Sequence, residues 1–139
     1  MFANFAVVDS LVANEFSLEL EGAPVTGIFK VSNFVSFALD ANGKRVKSTF
    51  ELSKMVQRDP KLPFNQWLRD TFAKRNSDDR PKRDLVLLAV DDGTITRRWF
   101  IRGAYIARVS YSEFDVAQSD MVAETYTIAY DDIEDTFAS

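Results

Sequence analysis

Three adjacent carboxylate pairs, Asp78-Asp79, Asp91-Asp92 and Asp131-Asp132, are the first residues of this sequence that could do chemistry. Two carboxyls side by side can split their pKa values for acid and base work, or hold a hard cation. Their placement argues against both. Each pair falls at a turn or near the end of the chain, and none belongs to a spaced Asp-x-Asp-x-Asp-Gly loop, so they read as solvated turn residues. A second candidate is the run Arg97, Arg98, Arg102 and Arg108, interleaved with Trp99, Phe100 and Tyr105, whose cations and rings could stack single-stranded nucleic acid. Strand alternation puts Arg98, Arg102 and Arg108 on one face and Arg97 with Trp99 on the other. That fits better a polar sheet face with acidic partners such as Glu124.

The rest of the usual chemical repertoire is missing. The 139 residues contain no histidine and no cysteine, which removes Ser-His-Asp and Cys-His catalysis, imidazole-ligated and thiolate-ligated metals, and disulfides. Neither a G-x-x-x-x-G-K-[ST] nor a G-x-G-x-x-G phosphate cradle occurs. No cofactor is expected. A net charge of -4 gives no basic field for non-specific nucleic acid binding. The length and the 46% hydrophobic content fit one folded domain spanning residues 1–139. No run approaches the roughly 18 apolar residues of a membrane span, and the opening "MFANFAVVDSLVANEF" has no basic residue of a secretory signal, so a soluble protein made in the cytoplasm is expected.

The elements that must position these residues are mostly strands. After an apolar-rich N-terminal arm, residues 1–13, "NEFSLELEG" alternates Phe16, Leu18 and Leu20 against Glu15, Ser17, Glu19 and Glu21. A long hairpin over 29–56 follows, turning at Asn42-Gly43, where a two-residue turn with positive φ at both positions is expected. Its arms run from about Phe29 to Leu39 and from about Val46 to Val56, roughly twice the usual strand length of about 5–6 residues. The first arm presents Phe29, Val31, Val35 and Phe37 opposite Lys30, Ser32 and Ser36, with Phe34 breaking the polar row. The second presents Phe50, Leu52 and Val56 opposite Lys47, Thr49, Glu51 and Ser53.

Pro63 then opens an amphipathic helix over 63–76, with core anchors Phe64, Trp67, Leu68 and Phe72, and with Lys74 and Arg75 in its last turn. "LVLLAV" reads as a strand buried on both faces, Asp92-Gly93 as a tight turn, and "TITRRWFIRGAYIARVSYSEFDV" as a second long strand that Gly103 kinks or bulges. "MVAETYTIAYDDIE" closes the domain before an acidic end. Six or seven strands and one helix predict a mainly β fold: an antiparallel β-sandwich or barrel with one amphipathic α-helix on its side and a long extended hairpin. Long strands with one hydrophilic face and unpaired edges suit a ring in which subunits pair strands edge to edge around a lumen.

In order and spacing these pieces resemble the inner tube proteins of contractile injection systems and contractile phage tails, the T4-type tail tube family. The resemblance runs through "FSLELEG", "GIFKVSNF", the extended hairpin, "FNQWLRDTF", "RDLVLLAVDDGTITRRWFIRGAYIARV" and "AETYTIAYDDIE". Asn33 stands where the family usually has glycine, and "LSKMVQRDPKLPF" replaces the usual Leu-Lys-Arg-Gly run.

The resemblance implies stacked hexameric rings with a conducting channel, enclosed by a contractile sheath and expelled when it contracts, with no catalysis. Implied partners are further copies of the chain, the sheath protein, baseplate or spike and tube-terminating proteins, and cargo or DNA in transit. The implied place is the cytoplasm of the producing bacterium, in a phage tail-like particle that is released or membrane-attached. On this basis Asp40, Asn42, Gly43, Lys44, Arg45 and Lys47 are the expected ring-to-ring contact, meeting acidic groups of the Asp131–Asp135 segment in a neighbouring ring. Lys30, Ser32, Ser36, Thr49, Glu51 and Ser53, with Arg98 and Arg102, are the expected lumen lining. Injection particle and phage tail stay open as alternatives, as do a monomeric β-barrel binding nucleic acid or a small ligand over the Arg/Trp/Tyr strand and an enzyme using the carboxylate pairs.

Overall fold

A computed structural model of the protein describes residues 15–137. The N-terminal arm, residues 1–13, lies outside them. The elements run β1 (Phe16–Leu20), β2 (Ala23–Pro24), β3 (Ile28–Ser32), β4 (Phe50–Met55), α1 (Pro63–Ala73), β5 (Arg83–Asp91), β6 (Thr94–Tyr111), β7 (Ala123–Ala129) and β8 (Asp132–Phe137). All pairings are antiparallel, in the order β2-β1-β5-β6-β7-β4-β3, with β8 also on β6. The sheet is therefore open and folded over its own apolar face, as a sandwich-like fold with one helix. Among the described residues the strands number eight where six or seven were expected, because the two residues of β2 pair with β1 and the acidic end "DIEDTF" is itself a strand, β8, paired with the first half of β6.

The 18 residues of β6 hold the fold together. Its first half pairs with β5 and β8, and its second half, from Tyr105 on, pairs with β7 alone among the described residues. Core positions are Trp99 and Ile101, then Ala104 and Ile106, then Val109, so the alternation steps over by one residue twice. The ladder shifts at the same two places: against β5 between Arg83 and Leu85, and against β7 between Ile106 and Arg108. Gly103 sits at the first slip with φ 65°, and a Cβ there would run into the Asp131 carboxylate. The expected bulge at this glycine is what the strand contains. The expected turn at Asp92-Gly93 also forms, with φ of 50° and 81°.

α1 starts on Pro63, after Leu62 in extended conformation, and covers the core with Phe64 and Trp67. Phe64 packs edge-on to Trp67 and Tyr126, at centroid distances of 5.2 and 4.7 Å. The Trp67 indole N–H donates to the Pro81 carbonyl at 2.9 Å. Two expectations are corrected here. The helix ends at Ala73, not 76, so Lys74 is its C-cap and Arg75 lies beyond it, where Arg75 Nη1 caps the Phe72 carbonyl at 2.8 Å. Phe72 is no core anchor: it is 50% exposed, while Leu68 packs on the margin of the core.

The hairpin of 29–56 is present, but its regular ladder covers only its base, from Ile28↔Lys54 to Ser32↔Glu51. Beyond Asn33 the chain makes an excursion that closes at an isolated bridge, Leu39↔Arg45. Two causes account for the shorter arms. Asn33 adopts φ 57°, a left-handed conformation that asparagine tolerates better than most residues, and this re-aims the chain so that Phe34 turns into the core against Phe50 and Trp99, at 5.2 and 6.0 Å. The expected apolar face is thereby lost past Val31: Val35 and Phe37 are exposed, as is Phe29, which lies in a register shift between Ile28 and Lys30. On the return arm Phe50 and Leu52 are buried as expected, Val56 is exposed, and Lys54 takes the next core position.

Candidate functional site

The four strands β3, β4, β7 and the second half of β6 form a patch whose two faces differ sharply. Cross-strand rows Val31–Leu52–Tyr126–Val109 and Phe50–Ile128–Ile106 face the core. Alternating with them are the rows Ser32–Glu51–Thr127–Arg108 and, past Leu52, Lys30–Ser53–Thr125–Ser110, all hydrophilic, on the opposite face. Ser53 and Thr125 share a hydrogen bond of 3.0 Å between their hydroxyls, and Ser32 and Asn33 both donate to Glu51 Oε1, at 3.5 and 3.0 Å. Four of the expected lumen residues, Lys30, Ser32, Glu51 and Ser53, are thus brought together. Alternation carries three of their neighbours, Arg108, Thr125 and Thr127, into the same face.

The other four lie elsewhere. Thr49 precedes β4 and is exposed, and Ser36, on the excursion, donates to Asp135 at 3.2 Å. Arg98 and Arg102 belong to the first half of β6, opposite Thr136 and Asp132, and Arg102 pairs with Glu134 at 2.8 Å. Arg97 takes the other face as expected, lying over the rings of Trp99 and Phe137 and 3.4 Å from Asp135. Glu124 is not the partner of any of these arginines. It is buried and faces Lys54 in the β4–β7 register.

Lys54 Nζ lies 2.7 Å from Glu124 Oε1 and donates to its neighbour's carbonyl on Met55, while the Tyr126 hydroxyl donates to the same Glu124 oxygen at 2.8 Å. Burial, and then the bond to the glutamate, hold the Tyr126 hydroxyl far above its ordinary pKa, so it stays protonated. The pair escaped the sequence reading because charged residues were assigned to wet faces. The available signal was the alternation Phe50, Leu52, Lys54 against Glu124, Tyr126, Ile128.

At the hairpin tip, the turn differs from the expected two-residue form. Gly43 has φ 79° but Asn42 is not in the positive region, and the bonds Gly43 N to Asp40 O and Asp40 N to Lys44 O enclose a three-residue loop. The Asp40 carboxylate selects it by accepting from the N–H groups of Asn42 and Lys44, both at 2.9 Å. Arg45 reaches Asp132 at 2.6 Å, and Lys47 donates to the Asp131 carbonyl at 3.2 Å, within one chain. The carboxylate pairs are all at the surface: Asp79 binds Lys74, which lowers its pKa, and Asp131 binds Lys82. Among the described residues no three acidic side chains gather as a metal site would need.

Two strand edges of the patch are unpaired among the described residues: that of β3, and that of β6 from Tyr105 to Tyr111. A groove lined by Leu68, Phe72, Arg75, Tyr105 and Arg108 runs along the second.

The patch is an open antiparallel sheet, hydrophilic on its free face and, among the described residues, unpaired at both sides. The chain belongs to the family of the T4-like virus tail tube protein gp19, whose family model matches residues 31–134. It is a tail tube protein of the kind found in contractile injection systems and phage tails. No curated protein matches it in sequence. Among solved structures it is similar to a chain of the extracellular contractile injection system PVC sheath-tube complex in the extended state, with TM-score 0.70, 14% identity and 99% of each chain covered. It is also similar to a chain of the anti-feeding prophage cap, the AFP tube terminating cap, with TM-score 0.73, 17% identity, and 95% of this chain and 94% of that one covered. A chain of the 6-fold symmetrised baseplate of the anti-feeding prophage matches with TM-score 0.67, 13% identity, and 94% and 97% covered. At these identities the likeness is one of fold.

Proposed function

We propose that the chain, read as one tail-tube domain over 1–139, is the repeating subunit of a contractile injection system's inner tube. The observation that carries this is the direction of the two unpaired edges. The patch runs β6-β7-β4-β3 with every neighbour antiparallel, so β3 and β6 point opposite ways. The β3 edge of one copy can therefore continue onto the β6 edge of the next and keep the whole wall antiparallel. Such a head-to-tail contact closes into a ring when its rotation permits. Six copies is the number supported by the family resemblance and by the 6-fold baseplate whose chain shares this fold. Phe29, exposed on β3, is available to the groove beside Phe72, which gives both exposed aromatics a partner.

In that ring the rows containing Lys30, Ser32, Glu51, Ser53 and Arg108 line the channel. Their mixed charges and hydroxyls leave no sticky apolar surface for passing cargo. α1 lies outside, toward the sheath. The protein acts as a conduit expelled on sheath contraction, with baseplate and terminating cap as further partners, and catalyses nothing. It assembles in the cytoplasm of the producing bacterium. Among the described residues no helix is long and apolar enough to cross a membrane.

Negative-stain electron microscopy and sedimentation over a concentration series, with and without sheath and baseplate, test this. Rings and hollow tubes are expected, and Phe29→Asp or Phe72→Asp should yield folded subunits that do not close. Subunit-sized particles under every condition would refute the reading.

A further inference from the structure

The two hydrophilic rows of the patch carry three charged side chains, Lys30, Glu51 and Arg108, and every other position in them is a serine or a threonine. Glu51 is engaged within the chain, where Ser32 and Asn33 donate to it at 3.5 and 3.0 Å. Lys30 and Arg108 are exposed, and neither makes an ion pair among the described residues. A chain of net charge -4 thus turns two free cations and one satisfied carboxylate toward its hydrophilic face.

The two cations stand on the outer strands of the patch, Lys30 on β3 and Arg108 on β6. These are the edges that meet when one copy continues onto the next. Alternation keeps both side chains on the hydrophilic face as long as the apolar rows stay on the core. The seam therefore sets Lys30 of one copy and Arg108 of the next on neighbouring strands, about 4.8 Å apart. Like charges on adjacent strands repel, and an anionic group placed between them relieves the repulsion. Neither copy alone holds such a site. Charged loops flank the patch, with Asp40 and Lys44 at one end and Glu113 and Asp120 at the other, but both lie beyond its strands.

We propose that each seam is an anion site shared by two copies, and that the channel takes polypeptide cargo rich in aspartate and glutamate. This rests on the tube reading above. Lys30 and Arg108 draw the carboxylates, and the hydroxyls of Ser53 and Thr125 offer neutral hydrogen bonds between the charged positions. A cleft lined by free charge of one sign concentrates the opposite sign. Because both cations are exposed, each contact is weak enough to be released in transit. A polypeptide fits these rows better than single-stranded nucleic acid, since neither row carries an aromatic ring on which a base could stack.

Tubes assembled from the parent chain and from the double variant Lys30→Gln, Arg108→Gln test this, by co-sedimentation with labelled poly-glutamate and with an oligo-thymidine of equal length. The parent should retain poly-glutamate at low salt and release it at about 1 M salt, where charges are screened beyond roughly 3 Å. It should retain at least about tenfold more than the double variant. Should that variant not assemble, Glu51→Gln decides in its place: it removes the one carboxylate of the rows and must raise retention. Equal retention by parent and double variant, or no rise with Glu51→Gln, overturns the assignment while the tubes themselves stand. Oligo-thymidine retained in preference to poly-glutamate, and lost with the same two substitutions, would make the wall a nucleic-acid track and overturn it as well. If the parent forms no ring or tube under any condition, the tube reading fails and this assignment falls with it.

Discussion

Lys54 and Arg45 lie on the same arm of one hairpin and both end on a carboxylate, at 2.7 and 2.6 Å, yet the two contacts do different things. Lys54 and Glu124 are 0% and 3% exposed, surrounded by Phe64, Tyr126 and the β4–β7 ladder. Arg45 and Asp132 are each 42% exposed, with only the Asp132 Oδ1 that Arg45 reaches covered. A buried pair adds little net stability over a well-packed apolar pair, but removing one member strands the other charge; a surface pair contributes little either way. The base of the hairpin is therefore fixed in register, and the tip is lightly tethered.

The comparison can be broken most directly at the base. Lys54→Met should cost about 3–5 kcal/mol in urea unfolding, because it leaves Glu124 buried without its cation. Combining it with Glu124→Leu should recover most of that loss. If the single variant is neutral, the register lock does not exist. Trp67→Ala should cost a similar ~3–5 kcal/mol, with its indole bond to Pro81 lost as well, while Phe72→Ala changes monomer stability by about 0.5 kcal/mol or less. Gly103→Ala, which places a Cβ on the Asp131 carboxylate at positive φ, should cost about 1–3 kcal/mol and show it as a lowered midpoint.

The buried hydroxyl at the base sharpens the contrast through pH. The native pKa of Tyr126 is raised above its unfolded value, so its contribution is complete below about pH 10, the ordinary tyrosine value, and is lost as pH rises beyond it. Stability should fall more steeply above that point in the parent than in Tyr126→Phe. The smallest effect belongs to the tip: Arg45→Ala or Asp132→Asn should cost under ~1 kcal/mol, and salt should shrink even that. A larger, salt-insensitive loss would mean that the tip is part of the core.

Most of the frame was legible because it rests on periodicity. Phe16, Leu18 and Leu20, the helix from Pro63 with Phe64 and Trp67, and the glycine slip in β6 all follow from local pattern and are found in place. What could not be read depended on tertiary partners. Lys54 at a core position makes sense only opposite Glu124, and β8 has charged residues where an isolated strand would show apolar ones, because its partner arginines supply the counter-charge. The face of the first hairpin arm was misassigned past Asn33, since one left-handed residue re-aims the side chains that follow it on that arm. Phe72 carries the helical period correctly and is nonetheless exposed, beside an edge that another copy is proposed to cover.

Of the three register irregularities of β6, the two that move its core alternation, at Gly103 and near Ala107, have a consequence for which changes the chain can absorb. Deleting one residue at either slip would turn Arg108 inward and Val109 outward, and with them the pairing to β7, whereas losing both slips together would leave the two ends of the strand facing as they do now. Point substitutions can accumulate one at a time on the outward rows. A change at one of these slips alone turns the whole strand beyond it over, so it is felt along an entire ladder and not at a single side chain.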